Sequence, residues 1–158
     1  MDIKISEAKI DDLPIILALQ KKCYVSEAEL YNDFTIQPLQ QDLESITQEF
    51  ENGIILKAIL ENQIIGSIRA YSEKNTCFIG KLIVHPEFQN KGIGKLLMKL
   101  IEIKFATCNK FELFTGDKSE KNLYLYKKQG YKEFKQIKVN ESLRFIYLQK
   151  SGNTFNLN

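Results

Sequence analysis

The feature that most constrains this chain is a buried strand that runs through a glycine-containing loop into a long helix. Residues 77–84 are apolar enough to form a strand covered on both faces, and Pro86 ends it. Gly92 and Gly94 follow, and a helical apolar stripe begins at once with Ile93, Leu96, Leu97, Leu100, Ile101 and Phe105. The next strand is predicted at 111–114, so this helix must cross over between two parallel strands.

The remaining segments predict the other elements of one sheet. A first helix begins after Asp11 and Asp12, with Pro14 in its first turn, and a second carries Leu39, Leu43, Ile46 and Phe50 on one face before Gly53. A third helix is expected from Ser119 to about Gln129, and residues 25–38, which have no clear period, suit a loop or short helix. Further strands are predicted at 3–10, 53–60, 63–71, 131–139 and 143–148.

This order predicts an α/β (α+β) fold with a mixed, mostly antiparallel central sheet of about seven strands, flanked by helices on both faces. The length of 158 residues suits a single domain, which we expect to occupy residues 1–150. Residues 151–158 are expected to form a flexible C-terminal tail.

Charge and cysteine content exclude several classes of function. The 22 basic and 20 acidic residues give a net charge of +2, which does not predict nucleic-acid binding. The three cysteines form no CxxC pair and His85 is the single histidine, so neither a metal site nor a disulfide framework is expected. With no signal-like N-terminus and no apolar stretch that approaches a membrane span, we expect a cytoplasmic protein.

The glycine loop is a candidate anion site. The first N–H groups of a helix lack intrahelical partners and carry a partial positive charge, and glycine lets a ligand approach them. The loop lacks the third glycine of the dinucleotide fingerprint, since residue 97 is Leu, and Leu96 breaks the triphosphate-loop pattern. A turn in which glycine only relieves crowding is the alternative that the spacing leaves open.

Two blocks together carry a family resemblance. Residues 82–94, LIVHPEFQNKGIG, resemble the [RQ]xxGx[GA] motif of the GNAT superfamily of acetyl-coenzyme A-dependent N-acetyltransferases, with its preceding apolar strand and proline. Residues 122–131, NLYLYKKQGY, resemble that family's later motif, and both blocks occur in the family's order. The resemblance implies a splay between the fourth and fifth strands and an enzyme that acetylates an amine.

The resemblance also implies roles for individual residues. The backbone of Val84 would hold the pantetheine arm, Asn122 would hydrogen-bond the cofactor, and Tyr126 would act as general acid toward the departing thiolate. The amides of the loop would surround the pyrophosphate. The full cofactor-binding set is Ile83, Val84, Gln89, Asn90, Lys91, Gly92, Ile93, Gly94, Lys95, Asn122 and Tyr126.

The general base and the acceptor are less constrained. Residues 77–80 lack the carboxylate that some family members carry there, so Glu73 is the nearest candidate base. The segment expected to line the acceptor site contains Glu27, Tyr31, Asp33 and Phe34, which would suit a small cationic amine.

Several readings remain open from the sequence. The acceptor is expected to be a small-molecule amine, but a protein N-terminus or lysine is also compatible. A non-catalytic acyl-coenzyme A sensor on the same fold would explain the missing carboxylate, and a plain nucleotide-binding protein fits less well. The terminal strands could pair with a second copy, which would give a homodimer.

Overall fold

The computed structural model describes residues 1–152 and contains seven strands and five helices in that range. The strands are β1 (Lys4–Glu7), β2 (Ile54–Leu60), β3 (Gln63–Glu73), β4 (Thr76–Val84), β5 (Lys110–Gly116), β6 (Lys132–Lys138) and β7 (Arg144–Ser151). The helices are α1 (Leu13–Tyr31), α2 (Gln37–Gln40), α3 (Leu43–Asn52), α4 (Ile93–Lys104) and α5 (Glu120–Lys128). Short 3₁₀ turns span Ile10–Asp12 and Pro86–Phe88. No helix in the described part of the chain is long and apolar enough to cross a membrane.

All seven strands form one sheet in the order β1-β2-β3-β4-β5-β7-β6. Only β4 and β5 are parallel, and their pairing stops after three residue pairs, from Thr76 with Lys110 to Phe78 with Glu112. Residues 79–84 and 113–116 therefore diverge, and we call the gap between them the split. The mixed sheet and the splay between the fourth and fifth strands are confirmed.

Helices cover both faces of the sheet, as predicted. Leu56 and Ala58 of β2 point into the larger core, which also contains Leu97 and Ile101 of α4. Ile55, the residue before Leu56, points to the opposite face. There it packs with Leu13 and Ile16 of α1 and with Ile46 of α3. This alternation follows from the period of two along a strand.

Helix α1 is longer than the sequence pattern predicted. It continues without a break through residues 25–31, where we expected a loop or short helix, and ends at Asn32 in the left-handed conformation. The apolar pattern stops early because the inward face changes from apolar to polar. Gln20, Glu27 and Tyr31 continue the stripe of Leu13 and Ile16 with side chains that form hydrogen bonds instead.

The C-terminal end of α1 is anchored to the second half of the sheet. The Tyr31 hydroxyl accepts a hydrogen bond from Lys118 N at 2.7 Å and donates one to Asp117 Oδ1 at 3.1 Å. Gly116 makes this possible, because a Cβ atom there would lie 2.3 Å from the Tyr31 hydroxyl oxygen. Helix α1 therefore spans the split, with its middle over β4 and its end over β5.

Element boundaries differ from prediction at both ends of the chain. The first strand covers Lys4–Glu7 rather than residues 3–10, since Ile10 already begins a 3₁₀ turn. Strand β7 continues to Ser151, so the predicted tail begins inside a strand, and its part from residue 153 onward lies outside the described residues.

Candidate active site

The split leaves a free backbone edge on β4. His85 N donates to Ile65 O of β3 at 2.7 Å, so the backbone groups of the preceding residue, Val84, are directed away from β3. On that side β5 has already diverged, and the Val84 carbonyl accepts hydrogen bonds from side chains instead of from a strand. The donors are Cys23 Sγ at 3.3 Å and Gln89 Nε2 at 3.0 Å. An extended ligand with amide groups could pair with this edge as an added strand.

A β-bulge lies where β4 leaves β5. Ser67 of β3 pairs with Ile83 and Arg69 pairs with Gly80, so two residues of β4 oppose one of β3. One of these two, Lys81, has a φ of 52°. A bulge redirects backbone groups, and here it does so beside the split. Ile83, a predicted ligand-binding residue, has its backbone directed to β3 by the same alternation that turns Val84 outward.

The N-terminus of α4 is open to a ligand. Gly92 precedes the helix with a φ of 83°, and no side chain caps the first turn. Leu96 N makes the first bond back to Gly92 O, so the N–H groups before it have no partner within the helix. These donors, the partial positive charge of the helix end, and the exposed Lys91 and Lys95 form an anion-binding arrangement.

Gly94 is not required by packing. A Cβ atom there would lie 3.5 Å from Leu125 Cδ2 and 3.8 Å from Leu82 Cδ2, which are ordinary contacts. The glycine therefore does not relieve crowding within the protein, contrary to the alternative that the spacing left open. The missing side chain leaves room in front of the helix end, on the side of Val84, whose Cγ2 would lie 4.0 Å away.

Helix α5 places Asn122 and Tyr126 at the other side of the split. Asn122 Nδ2 donates to Thr115 Oγ1 at 3.3 Å and to Glu27 Oε1 at 3.4 Å. Tyr126 is 7% exposed. Burial raises the pKa of its hydroxyl, and the nearby Tyr24 and Glu27 raise it further. Tyr126 is therefore protonated at neutral pH and can donate a proton or hydrogen bond.

Helix α1 forms the third side of the site, beside β4 and α5. Glu27 accepts from Ser119 Oγ at 2.6 Å and from Asn122, so this predicted residue lies beside α5 and not on a free surface. Tyr24, one turn earlier, has its pKa raised by burial and then by the charge of Glu27. Cys23 lies on the adjacent position and contacts Val84, as described above.

The structure does not bring the other predicted acidic residues to this site. Glu73 pairs with Thr76, which lies at the opposite end of β4 from Val84. At about 3.3 Å per residue, Thr76 and Val84 are about 26 Å apart. Asp33 holds a turn by accepting from Thr35 N and Oγ1, and these bonds lower its pKa. Phe34 is exposed beyond the end of α1. Glu73 as a base and Asp33 with Phe34 as acceptor-binding residues stay predictions. Asp33 lines a separate cavity with Tyr31 and the β6–β7 loop, and Tyr31 also anchors α1.

Two residues were not predicted: Tyr24, which lies at the site, and Lys81, in the bulge beside the split. Tyr24 fits the helical series Gln20, Tyr24, Glu27 and Tyr31, so a stripe of polar and aromatic residues at helical spacing was the available signal. Lys81 gave no such signal, because a bulge depends on the pairing of two strands. Burial lowers the pKa of Lys81, while the charge of Glu49 raises it.

His85 has the local role that its position between strand and proline suggests. Its Nδ1 accepts a hydrogen bond from Glu87 N at 3.1 Å and so closes the turn that leads to the glycine loop.

Comparisons with known proteins agree with this geometry. The model of the family described as "Acetyltransferase (GNAT) family" matches residues 15–131. The PaiA N-acetyltransferase of Thermoplasma acidophilum, solved in complex with coenzyme A, is 19% identical with a TM-score of 0.79 over 96% of this chain and 99% of that one. YncA of Salmonella typhimurium, a putative acetyltransferase solved with its cofactor acetyl-CoA, is 16% identical with a TM-score of 0.74 over 96% and 94%.

A relative of known sequence extends beyond this chain. The UPF0157 protein YqkA of Bacillus subtilis is 26% identical over 128 residues, which are 81% of this chain. The match spans only 37% of the length of that relative.

Proposed function

Because the chain belongs to the GNAT family of acetyltransferases, we propose that it transfers an acetyl group from acetyl-coenzyme A to a primary amine of a small molecule at the split. The observation that carries this proposal is the combination of the free Val84 edge with the uncapped start of α4. An extended amide chain and a pyrophosphate are the two parts of coenzyme A that such features bind. Both relatives solved with coenzyme A or acetyl-CoA share this fold.

The residues present fit the donor. The N–H groups of residues 93–95 would hold the pyrophosphate, with Lys91 and Lys95 adding charge. The outward N–H and C=O groups of Val84 would form hydrogen bonds with the pantetheine amides. For this, the hydrogen bond from Cys23 or from Gln89 to the Val84 carbonyl oxygen would have to break. The Asn122 amide nitrogen donates hydrogen bonds to Thr115 and Glu27. The amide oxygen of Asn122 therefore remains available to accept a hydrogen bond from acetyl-coenzyme A.

Acetyl-coenzyme A supplies the acetyl group as a thioester. In the transfer a C–N bond forms and the C–S bond breaks, while the amine loses one proton and the thiolate gains one. We propose that Tyr126 supplies the proton that the thiolate gains, because its raised pKa keeps its hydroxyl protonated until the thiolate departs. Backbone N–H groups of β4 near Val84 would stabilise negative charge on the carbonyl oxygen.

We assign the removal of the amine proton to Glu27. Of the carboxylates that the sequence indicated, it is the one that the fold brings beside Tyr126 and Asn122. Its hydrogen bonds to Ser119 and Asn122 fix its position, and a carboxylate retains acceptor capacity for a substrate ammonium or a water.

Thiol release tests the proposal. The purified protein is incubated with acetyl-coenzyme A and a panel of amines, and free thiol is measured above the rate without amine. Release that depends on an amine, with mass spectrometry showing the N-acetyl product, supports the transferase. Coenzyme A binding without release for any amine, including N-terminal and lysyl peptides, would instead support the sensor, and absence of binding would refute both.

A further inference from the structure

A cluster of aromatic side chains lies beside the split on the face that α1 covers only in part. On β5, Phe111 and Leu113 point into the core with α4, so Phe114 points to the opposite face, where it is 49% exposed. Its ring centroid lies 4.7 Å from that of Phe145 and 5.2 Å from that of Tyr147, both on β7. We call Phe114, Phe145 and Tyr147 the aromatic wall.

The aromatic wall lies beside the start of the split, where the space above Gly80 is open, and we call this space the hollow. The last β4–β5 pair is Phe78 with Glu112, so two residues further Gly80 and Phe114 face each other where the strands begin to part. A Cβ atom at Gly80 would meet nothing within 4 Å. The Tyr71–Phe78 ring stack, with centroids 5.2 Å apart, continues the aromatic surface below the hollow.

Helix α1 lies on the same face of the sheet. Tyr31 lies over Gly116, which shares the face of Phe114 two residues further along β5. Glu27 is one helical turn before Tyr31. The aromatic wall and the helix that carries Glu27 therefore lie on the same face of the sheet, opposite to the one where α4 packs.

We propose that the acceptor is a primary amine that carries an aromatic group, with its nitrogen at the split and its ring packed on the aromatic wall. This inference rests on the proposed function. Aromatic side chains favour offset or edge contacts with other rings. The three partly exposed rings beside the split, of which Phe114 contacts the other two, offer such contacts. The Lys135 ammonium lies 4.6 Å from the Tyr147 ring centroid, so the wall suits an uncharged ring rather than the second ammonium of a polyamine, which like charge would repel.

The test compares phenethylamine with ethylamine, which lacks the ring, and with spermidine, by amine-dependent thiol release. We expect kcat/KM for phenethylamine to exceed that for ethylamine at least tenfold. Phe114→Ala should reduce this ratio about tenfold, with kcat/KM for ethylamine and the affinity for acetyl-coenzyme A unchanged. Phe145→Ala should act in the same direction, and thermal melts confirm that both variants are folded.

Tyr124→Ala is the matched control, because Tyr124 is a 65% exposed aromatic residue outside the hollow. It should leave the ratio unchanged. If thiol release depends on amine but kcat/KM is about equal for phenethylamine and ethylamine, the aromatic acceptor is refuted and the transferase is not. The same conclusion follows if Phe114→Ala leaves the ratio of these two kcat/KM values unchanged. A loss of dimer in sedimentation with unchanged selectivity would assign the wall to a second copy of the chain. Failure of the proposed function itself would show as no release with any amine.

Discussion

The Cys23 thiol of α1 donates a hydrogen bond to the Val84 carbonyl oxygen of β4 at 3.3 Å, so a helix side chain occupies the edge at which we expect the donor to bind. Burial raises the pKa of this thiol to about 11. We therefore expect slow alkylation by iodoacetamide at pH 8, with a rate that rises about tenfold per pH unit up to pH 10, because the thiolate is the nucleophile.

Saturating coenzyme A should slow the alkylation of Cys23 at least tenfold, as measured by peptide mass spectrometry. Cys77 and Cys108 are buried and should stay unmodified in both conditions, which makes them internal controls. Equal rates at Cys23 with and without coenzyme A would mean that the ligand does not reach the Val84 edge.

Replacing Tyr126 by Phe should lower kcat about 100-fold, within the usual range for a general acid, and leave the acetyl-coenzyme A dissociation constant unchanged. Because its pKa is raised, Tyr126 should not cause a fall in kcat below about pH 10 in the wild type. Tyr124→Phe, on the exposed side of the same helix, is the control. Full activity of Tyr126→Phe would remove Tyr126 from the mechanism.

Glu27→Gln should lower kcat/KM for the amine about 100-fold at neutral pH and recover part of it at high pH, where the free amine is already deprotonated. Glu73→Gln should keep wild-type rates, since that residue lies at the far end of β4. A pH–rate profile for both variants decides the matter. An unaltered profile in Glu27→Gln would leave that residue only a positioning role toward Asn122.

The charge at the start of α4 can be tested without disturbing the fold. Lys95→Glu places a carboxylate in the first helical turn, where it should leave stability unchanged or raise it by about 0.5 kcal/mol. It should weaken coenzyme A binding at least tenfold, measured by calorimetry at low salt. Lys99→Glu makes the same charge change one turn later and should have a much smaller effect. Equal effects of both variants would point to general charge rather than a site.

Gly116→Ala should destabilise the protein by roughly 1–3 kcal/mol in urea unfolding, because a methyl group would displace the Tyr31 hydroxyl from Asp117 and Lys118. Gly80→Ala has open space and should be neutral or slightly stabilising, through the smaller entropy of the unfolded chain. Similar unfolding midpoints for the two variants would show that Tyr31 does not anchor α1.

Local patterns predicted most of the fold, and long-range pairing decided the rest. The apolar stripe from Ile93 and the turn at Glu61 and Asn62 specify their elements within a few residues, so α4 and the β2–β3 hairpin were predicted closely. The end of α1 was missed because Glu27 and Tyr31 are buried by partners about 90 residues away, which no local period reveals.

The same distinction holds for the site. Gly92 and Gly94 could be interpreted from the turn that they occupy. Glu73 was favoured because it is close in sequence to the strand of Val84, but the structure places it at the opposite end of that strand, since a strand separates its two ends by its whole length. Lys81 depended on the register of β4 against β3, which the sequence does not encode locally.

The three-pair seam between β4 and β5 has a thermodynamic consequence. Acetyl-coenzyme A bound in the split would form hydrogen bonds in place of the absent β4–β5 pairs. It would therefore bind the folded state and not the unfolded chain. At a free concentration 100 times its dissociation constant such a ligand adds about 2.7 kcal/mol to folding stability. The resistance of this protein to proteolysis would then increase with the concentration of acetyl-coenzyme A. A cell with little acetyl-coenzyme A would contain less of the protein at the same rate of synthesis.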